Sequence, residues 1–477
     1  MLFNSIEFAV FFLVVFMGYW TLSVKSWRIQ NLFLLGASYC FYAAWDWRFL
    51  GLIFASSLVD FTLGNLIFKT KSRLRRRLLL FFSIIFNIGL LGFFKYFNFF
   101  IDSFCSLSLL IGISPNINSL DIILPVGISF YTFQTLSYTL DIYRKKLEPT
   151  TNAIGFFTFV SFFPQLVAGP IERAKSLLPQ FLKARQFGYK HAKEGMQLIL
   201  WGLFKKIVVA DNCAIHVNEI FENYSTLDGS VLLLGGVLFA FQIYCDFSGY
   251  SDIAVGVAGL LGFSLIRNFE YPYFSRDIAE FWRRWHISLS TWFRDYIFIP
   301  LGGSRVSKGL VARNILLTFT ISGLWHGANW TFVFWGILNG LYYFPLIFRK
   351  KRRTYTDIVA FERVLPSAIE LLLMLRTFLL IVIAWIFFRA QNIGEATSYL
   401  LRVFSESLFK APSGYNQILA LISFFILMEW IQRKKKSPLE LENWPKTLKG
   451  LAYGAITLLI VFFQVNATDI DFIYFQF

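Results

Sequence analysis

Charged side chains are scarce in this sequence. Asp, Glu, Lys and Arg make up 16% of its 477 residues and hydrophobic residues 56%, whereas soluble globular domains carry about 25% charged residues. This composition excludes an ordinary water-soluble domain. The long apolar runs do not alternate with polar residues, so membrane-crossing helices are expected rather than barrel strands. We predict an all-α polytopic membrane protein with a single membrane domain, residues 1–477.

Cysteine and histidine are also rare, at four residues each. Cys40, Cys105, Cys213 and Cys245 lack the spacing of a metal site or a disulfide framework, so we assign them no role and expect no bound metal. The net charge is +16. In a membrane protein such an excess of Lys and Arg holds loops in the cytoplasm, so we expect contacts with membrane lipids and none with nucleic acid.

Basic clusters indicate which loops lie in the cytoplasm. They occupy residues 25–28, 71–77, 144–146, 173–193, 267–313, 349–353 and 433–436. With the apolar runs between them, they predict membrane spans at 29–47, 49–68, 369–388, 416–431 and 450–464. The run 8–22 lacks a basic leader and a clean cleavage site, so we interpret it as a first span and not as a removable signal peptide.

Three segments do not fit simple membrane crossings. Residues 77–112 are long enough for two spans, although the charge pattern favours one passage. Residues 153–168 have basic flanks on both sides, which suggests a re-entrant segment, and the polar sequence YCDFSGYSD interrupts residues 231–266. Broken helices inside a bilayer occur where protein or a watery cavity covers the free backbone. We therefore expect about 11–14 membrane helices, some of them re-entrant, around an internal cavity.

A titratable side chain, His326, lies inside the apolar run TISGLWHGANWTFVFWG, residues 320–336. About 16 residues of helix from Leu310 would rise roughly 24 Å, which places His326 well inside a hydrocarbon core of about 30 Å or near its far side. The neighbouring Gly323, Gly327, Ala328 and Asn329 are small or polar, which suggests room for a substrate. An intramembrane histidine can act as a general base; the alternative is a structural histidine hydrogen-bonded between helices.

The sequence EFWRRWHISLSTWFRDYIFIPLGGSR, residues 280–305, predicts a helix lying at the membrane surface. As one helix it places a single apolar stripe along Phe281, Trp285, Leu289, Trp292 and Tyr296. His286 lies beside this stripe, and the helix could frame the mouth of a cavity. Its three arginines face elsewhere, where they could hold an anionic donor or anchor the helix to lipid phosphates; they are Arg283, Arg284 and Arg294.

Two further stretches carry polar residues that are costly in lipid unless they pair or face a cavity. In residues 242–256 these are Asp246, Ser248, Ser251 and Asp252, and structural pairing, with the arginines near 283–284 as possible partners, is the favoured interpretation. Residues 124–144 carry polar side chains every three or four positions, typical of a pore-lining or core helix. A break is expected at Gly169 and Pro170.

Several stretches together resemble the membrane-bound O-acyltransferase family, in particular its bacterial branch that contains the membrane subunit of alginate O-acetylation. They are LPVGISFYTFQTLSYTLDIYR, FFPQLVAGPIER, YCDFSGYSDIAVG, EFWRRWHISLSTWFRDYIFIPLGGSR, GLWHGANWTFVFWG, WIFFRA and FIYFQF. The resemblance implies a ring of helices around a central tunnel, in a bacterial inner membrane. It also implies that His326 is catalytic and that His286 is the second family histidine, near the cytoplasmic entrance.

In this branch the implied donor is cytoplasmic acetyl-CoA, used as a substrate and not as a tightly bound cofactor. The acetyl group crosses to the outer face, where a partner extracytoplasmic acetyltransferase places it on a polysaccharide. The substrate-binding residues expected here are Arg283, Arg284, Arg294, Asp246, Asn329 and Trp325. A related branch moves D-alanine from a carrier protein toward teichoic acids, although IPLGGSR looks more like the acetylation branch. From the residues alone, a non-enzymatic transporter or channel also stays open.

Overall fold

Every regular element among the described residues is helical. The structure is a computed structural model that describes residues 1–22, 26–115, 117–167, 169–349, 354–435, 438–441, 444–465 and 472–473. The chain divides into two compact units, Met1–Gly195 with Ala254–Ile266, and Met196–Ile253 with Arg267–Phe477. The single membrane domain predicted over residues 1–477 stays a prediction.

The first unit is built from nine helices and the beginning of a tenth. These helices are α1 Ile6–Leu22, α2 Trp27–Asp46, α3 Leu50–Lys69, α4 Arg73–Leu91, α5 Phe97–Leu110, α6 Ile128–Tyr143, α7 Ala153–Ser161, α8 Phe163–Leu166, α9 Ala174–Phe181 and α10 Tyr189–Leu203. A π-helical segment, Gly92–Tyr96, joins α4 to α5. Because no turn interrupts the chain from Arg73 to Leu110, the geometry favours one passage over two for this stretch.

Polar side chains hold the middle of the first unit together. The Asp60 carboxylate on α3 accepts hydrogen bonds from Ser83 Oγ at 2.6 Å and Asn87 Nδ2 at 2.7 Å, both on α4. On α6, Gln134 Nε2 donates to the Phe159 carbonyl oxygen at 2.8 Å, and nearly every side chain of α6 is buried. The polar helix predicted over 124–144 is therefore a core helix of this unit.

The segment 153–168 contains a helix break, and the break expected at Gly169 and Pro170 is confirmed, because neither residue is helical. Helix α7 ends at Ser161, and Phe162 adopts a non-helical backbone (φ −52°, ψ 105°) before α8 begins. Pro164 occupies the first turn of α8, where proline needs no hydrogen-bonded N–H. Residue 168 lies outside the described residues. The re-entrant position of this segment in a membrane stays a prediction.

The second unit contains the remaining helices and most of α12. They are α11 Asp211–Glu222, α12 Gly229–Leu260, α13 Ile278–Arg284, α14 Ile287–Phe293, α15 Lys308–His326, α16 Trp330–Tyr342, α17 Phe344–Phe348, α18 Ala368–Arg389, α19 Ile393–Val403, α20 Asn416–Gln432 and α21 Lys446–Val465. π-Helical segments cover Phe204–Ala210 and Arg294–Phe298. The apolar core of this unit is rich in tryptophan, including Trp201, Trp282, Trp285, Trp335 and Trp385.

The predicted interruption of residues 231–266 is wrong. Helix α12 runs without a break through YCDFSGYSD and ends at Leu260. The glycine in this motif, Gly249, serves close packing instead, because a Cβ there would lie 2.7 Å from the carbonyl oxygen of Gly202 on α10. Asp246, Ser248 and Asp252 of the motif pair with the buried lysines Lys205 and Lys206, so the backbone has no need to open.

The single surface helix predicted over 280–305 is also wrong. The chain leaves the helix at Trp285, and His286 has a left-handed backbone (φ 42°) between α13 and α14. Hydrophobic periodicity did not reveal this break, because all five residues of the predicted stripe are buried in the broken arrangement as well. The prediction of their burial is confirmed.

Six segments of the described chain are long and apolar enough to cross a membrane: Trp27–Lys69, Arg73–Leu110, Gly229–Leu260, Trp330–Phe348, Ala368–Arg389 and Lys446–Gln464. Two shorter apolar helices are Ile6–Leu22 and Asn416–Gln432. Helices α2, α3, α18, α20 and α21 match the predicted spans to within a few residues. The all-helical membrane fold is confirmed, whereas the count of 11–14 helices, their ring and the tunnel stay predictions.

Candidate active site

His326 is the last residue of α15, and a sharp hairpin follows it. Gly327 is fully extended, and the Asn329 side chain caps α16 by accepting a hydrogen bond from the Thr331 N–H. Asn329 also donates through Nδ2 to the Gln391 carbonyl oxygen at 2.9 Å. Asn329 therefore shapes the turn beside His326, and its predicted contact with substrate stays a prediction.

Aromatic rings surround the His326 imidazole, whose residue is only 5% exposed. Its ring centroid lies 5.0 Å from Trp325, 5.1 Å from Trp335 and 5.4 Å from Phe388, in edge-to-face geometry. Trp335 belongs to α16 and Phe388 to α18. Three helices thus fix the orientation of one imidazole in an apolar environment.

The small residues near His326 do not leave the space that the sequence suggested. A Cβ on Gly323 would lie 2.1 Å from the Phe332 carbonyl oxygen, and one on Gly327 would overlap the Phe332 ring. A Cβ on Gly336 would likewise lie 2.3 Å from the Phe319 carbonyl oxygen. These glycines let α15 and α16 pack backbone against backbone. Their space is filled by the chain itself, which corrects the prediction of room for a substrate at Gly323 and Gly327.

The second histidine, His286, is also buried. Its ring centroid lies 4.6 Å from Phe247 on α12 and 6.1 Å from Trp325. Ser288 Oγ lies 3.5 Å from His286 Nδ1 and donates to Asn268 Oδ1 at 2.6 Å. Residues 278–298 lie outside the six candidate spans, and burial lowers the pKa of His286 from 6.5 to about 3. His286 is therefore a neutral imidazole near neutral pH.

The two histidines come together in the second unit through Trp325. Its indole packs against the edge of both imidazoles, with ring centroids 6.1 Å from His286 and 5.0 Å from His326. Trp325 was predicted to contact substrate, and the structure places it between the two candidate catalytic residues. The catalytic roles of His286 and His326 stay predictions.

The three arginines predicted to bind a donor are all in contact with the chain itself. Arg284 Nη2 donates to Glu280 Oε1 at 2.9 Å and to the Asp357 carbonyl oxygen at 2.8 Å. Arg283 donates to the carbonyl oxygen of Tyr355. Arg294 pairs with the neighbouring Asp295 at 2.7 Å and is exposed. Their binding of a donor stays a prediction.

Asp246 lies in a buried ion cluster. Its Oδ1 lies 2.9 Å from Lys206 Nζ, and its Oδ2 accepts a hydrogen bond from the Ile473 N–H at 2.7 Å. Lys206 also contacts Asp211 Oδ1 at 2.8 Å. The suggested pairing with the arginines near 283–284 is wrong, because the lysines of the segment Phe204–Ala210 face α12 directly. The expected role of Asp246 in substrate binding stays a prediction.

A second buried lysine, Lys205, holds the next polar turn of α12. Its Nζ lies 2.7 Å from Asp252 Oδ2 and 2.9 Å from Ser248 Oγ. Our sequence reasoning gave no role to either lysine. The sequence did indicate that both lysines need a carboxylate partner. Lys205 and Lys206 lie inside the apolar run WGLFKKIVVA, where an unpaired ammonium would be costly.

The described residues contain no group of three or more His, Cys, Asp or Glu side chains that could hold a metal ion. The four cysteines are free thiols. A cavity of about 310 Å³ lies in the first unit and is lined by Trp27, Arg28, Asn31, Asn152, Ala153 and Ile154. Most of the tail FIYFQF lies outside the described residues; of it, Phe472 and Ile473 are described.

Comparison with known proteins relates this site to a family of enzymes. Residues 144–367, which contain both histidines, match the model of the membrane-bound O-acyltransferase family, MBOAT. A protein of Azotobacter vinelandii named "Probable alginate O-acetylase" is 38% identical over 90% of this chain and 84% of its own length. Its counterpart in Pseudomonas aeruginosa is 40% identical over 85% of this chain and 75% of its own length.

A third relative is named for a different acceptor. The "Peptidoglycan O-acetyltransferase" of Helicobacter pylori is 36% identical over 84% of this chain and 79% of its own length. These matches cover nearly the whole chain, and they favour an enzyme over the transporter that the polar membrane residues alone left open. The chain belongs to the membrane-bound O-acyltransferase family and is a multi-pass membrane enzyme homologous to O-acetylases.

Proposed function

We propose that this protein takes an acetyl group from cytoplasmic acetyl-CoA and passes it across a bacterial inner membrane for the O-acetylation of an exported or cell-surface polysaccharide. The observation that supports this most directly is the meeting of His286 and His326 around Trp325. The names of the relatives support an acetyl group and a polysaccharide acceptor, alginate in one case and peptidoglycan in another.

His326 is the proposed general base. It takes the proton from the accepting hydroxyl, whose oxygen forms a bond to the acetyl carbonyl carbon while the carbon–sulfur bond of the thioester breaks. The proton then passes to the departing CoA sulfur, so charges and atoms balance. Proton transfer by a positioned side chain contributes about 10²–10⁴-fold to the rate. The apolar rings around His326 keep water from the thioester.

The proposed roles of the surrounding groups follow from their charge. A neutral His286 cannot attract the phosphates of CoA, so it is proposed to position Trp325 and the reacting groups. The phosphates stay at the basic cytoplasmic face, where Arg283, Arg284 and Arg294 are the proposed cations. No tightly bound cofactor is needed for this reaction. A separate extracytoplasmic acetyltransferase is the proposed partner that completes transfer to the polysaccharide.

The test replaces His326 with alanine. The purified variant, reconstituted in proteoliposomes, should release CoA from acetyl-CoA about 10²–10⁴-fold more slowly than the wild type, and cells that carry it should export a polysaccharide without O-acetyl groups. His191→Ala is the matched control, because His191 is exposed on α10. Full activity of a normally inserted His326→Ala protein would overturn the proposed role. A preference for a D-alanyl carrier protein over acetyl-CoA would overturn the proposed donor.

A further inference from the structure

Residues 354–357, here called the strap, lie on three arginines of α13 and the turn before it. Arg276 Nη2 lies 2.9 Å from Asp357 Oδ1 and 3.0 Å from the Asp357 carbonyl oxygen, and Arg276 Nη1 lies 3.4 Å from Asp357 Oδ2. Arg284 donates to the same carbonyl oxygen, and Arg283 to that of Tyr355. The carbonyl and carboxylate oxygens of the strap therefore accept hydrogen bonds from the guanidinium groups of three arginines.

The two carboxylates nearest to Arg276 differ in their surroundings. Glu280 is buried, and its Oε1 accepts from Arg276 at 3.1 Å and from Arg284 at 2.9 Å. The Asp357 side chain is 65% exposed. Glu280 is thus a fixed part of the cluster, whereas Asp357 reaches the buried Arg276 guanidinium, which is 4% exposed, from the surface.

The charge left behind without Asp357 would attract an anion. Arg276 and Arg284 then share the Glu280 carboxylate. Glu370 lies farther from Arg276, at 3.7 Å, and pairs at 2.7 Å with Arg363. The ring of Tyr355 covers the Arg276 guanidinium at 4.4 Å. Guanidinium groups bind phosphates through paired hydrogen bonds, as they do carboxylates. A phosphate could accept the bonds that Asp357 and the strap carbonyls accept here.

We propose that the Asp357 carboxylate occupies the binding site of a phosphate group of the donor, so that donor binding displaces the strap from Arg276 and Arg284. This rests on the proposed function, in which the donor is acetyl-CoA. It explains why Arg283 and Arg284, two of the arginines predicted to hold the donor, already contact the chain. The basic segment 349–353 precedes the strap in sequence and marks the same side as cytoplasmic.

The experiment removes the charge of the strap. In phosphatidylcholine nanodiscs, the full-length Asp357→Asn protein should bind coenzyme A about five-fold more tightly than the wild type by calorimetry, because a phosphate no longer competes with a carboxylate for Arg276. The KM for acetyl-CoA should fall by the same factor with kcat unchanged. Asp357→Ser should act in the same direction, which guards against a folding defect particular to one variant.

Two control variants test whether the effect depends on the charge of residue 357. One keeps the negative charge at that position, and the other removes a negative charge elsewhere in the protein. Asp357→Glu should leave the Kd of coenzyme A at its wild-type value. Asp228→Asn removes an exposed carboxylate that pairs with Lys410 at 3.0 Å and should also change nothing. Equal affinity of wild type and Asp357→Asn, with both proteins active, would overturn the strap inference and leave the proposed function intact.

Other outcomes separate the possible sources of a phosphate. If neither the wild type nor Asp357→Asn binds coenzyme A or releases it from acetyl-CoA, the proposed donor fails and the inference fails with it. A headgroup phosphate of a lipid has the same chemistry as that of the donor. If Asp357→Asn gains affinity for phosphatidylglycerol in mixed nanodiscs but none for coenzyme A, the site belongs to lipid, and the assignment to the donor is overturned.

Discussion

His286 and His326 pack against the same indole ring. Trp325 lies immediately before His326 on α15, and its ring centroid is 6.1 Å from that of His286, between α13 and α14. Any movement of this indole would change the surroundings of both imidazoles together. The two histidines, 40 positions apart in the sequence, are therefore mechanically coupled through one side chain.

Truncation of Trp325 should affect both stability and acetyl transfer. Trp325→Ala opens a cavity between the imidazoles, and the loss of a buried tryptophan of this kind costs about 3–5 kcal/mol. Trp325→Phe keeps a ring and should cost less. Trp330→Ala is the control, since Trp330 is 54% exposed at the start of α16. Thermal unfolding in detergent and CoA release measure the two effects; equal behaviour of the two alanine variants would contradict the coupling.

The close packing of α15 on α16 should be required for activity. Gly323→Ala places a Cβ 2.1 Å from the Phe332 carbonyl oxygen, so the hairpin must open and carry His326 with it. Overpacking of this kind costs about 1–3 kcal/mol, and a displacement of about 1 Å at a reacting group can lower the rate roughly 10²-fold.

Gly309→Ala is the matched control for this prediction. Gly309 lies in the first turn of the same helix, α15, and a Cβ there would meet nothing within 4 Å. CoA release and thermal unfolding should be near wild type for Gly309→Ala and both reduced for Gly323→Ala. A Gly323→Ala protein with wild-type turnover would show that the position of His326 does not depend on this contact.

The sequence predicted the helix that leads from Leu310 to His326, because an apolar run that begins after a basic cluster has few other ways to fold in a membrane. The depth of His326 in the bilayer stays a prediction. It did not predict the break at His286. A left-handed backbone is usually found at glycine or asparagine. Here a histidine adopts it, and its ring contacts Phe247 and Ser288. Hydrophobic periodicity in the sequence does not show these contacts.

The partners of Asp246 show a second limit. Sequence pattern indicated that a carboxylate inside an apolar helix needs a cation, but lysines and arginines satisfy that need equally. The actual partner, Lys206, is 40 positions earlier in the sequence. Similarly, the glycines around His326 suggested empty space, whereas only the packed helices reveal that Phe332 fills it.

The buried lysine at the centre of the ion cluster should contribute strongly to stability. Lys206→Met leaves Asp211 and Asp246 without their ammonium, and loss of one partner of a buried pair costs about 3–5 kcal/mol. Lys410→Met removes an exposed pair with Asp228 and should cost no more than about 1 kcal/mol. Thermal unfolding in detergent distinguishes the two.

A second substitution tests whether Asp246 acts through this cluster. Adding Asp246→Asn to Lys206→Met removes one uncompensated carboxylate, so the double variant should be more stable than Lys206→Met alone. Asp246→Asn by itself should lower the unfolding temperature while leaving the KM for acetyl-CoA unchanged. A raised KM in a protein of normal stability would instead support the predicted contact of Asp246 with substrate.

The neutral state of His286 should make the protein less stable in acid. Because burial lowers the pKa of His286 to about 3, the folded protein does not take up this proton between pH 6.5 and 3, whereas the unfolded chain does. Stability from this residue is therefore fully present above pH 6.5 and declines as the pH falls, by up to about 1.4 kcal/mol per pH unit.

His286→Asn isolates this contribution, since asparagine tolerates the left-handed backbone of residue 286 and does not titrate. The unfolding temperature of the wild type should fall more steeply between pH 6.5 and 4.5 than that of His286→Asn. His191→Asn, at an exposed histidine, should follow the wild-type curve. Parallel curves for wild type and His286→Asn would mean that His286 is protonated in the folded protein, and its imidazolium would then be available to attract an anionic substrate.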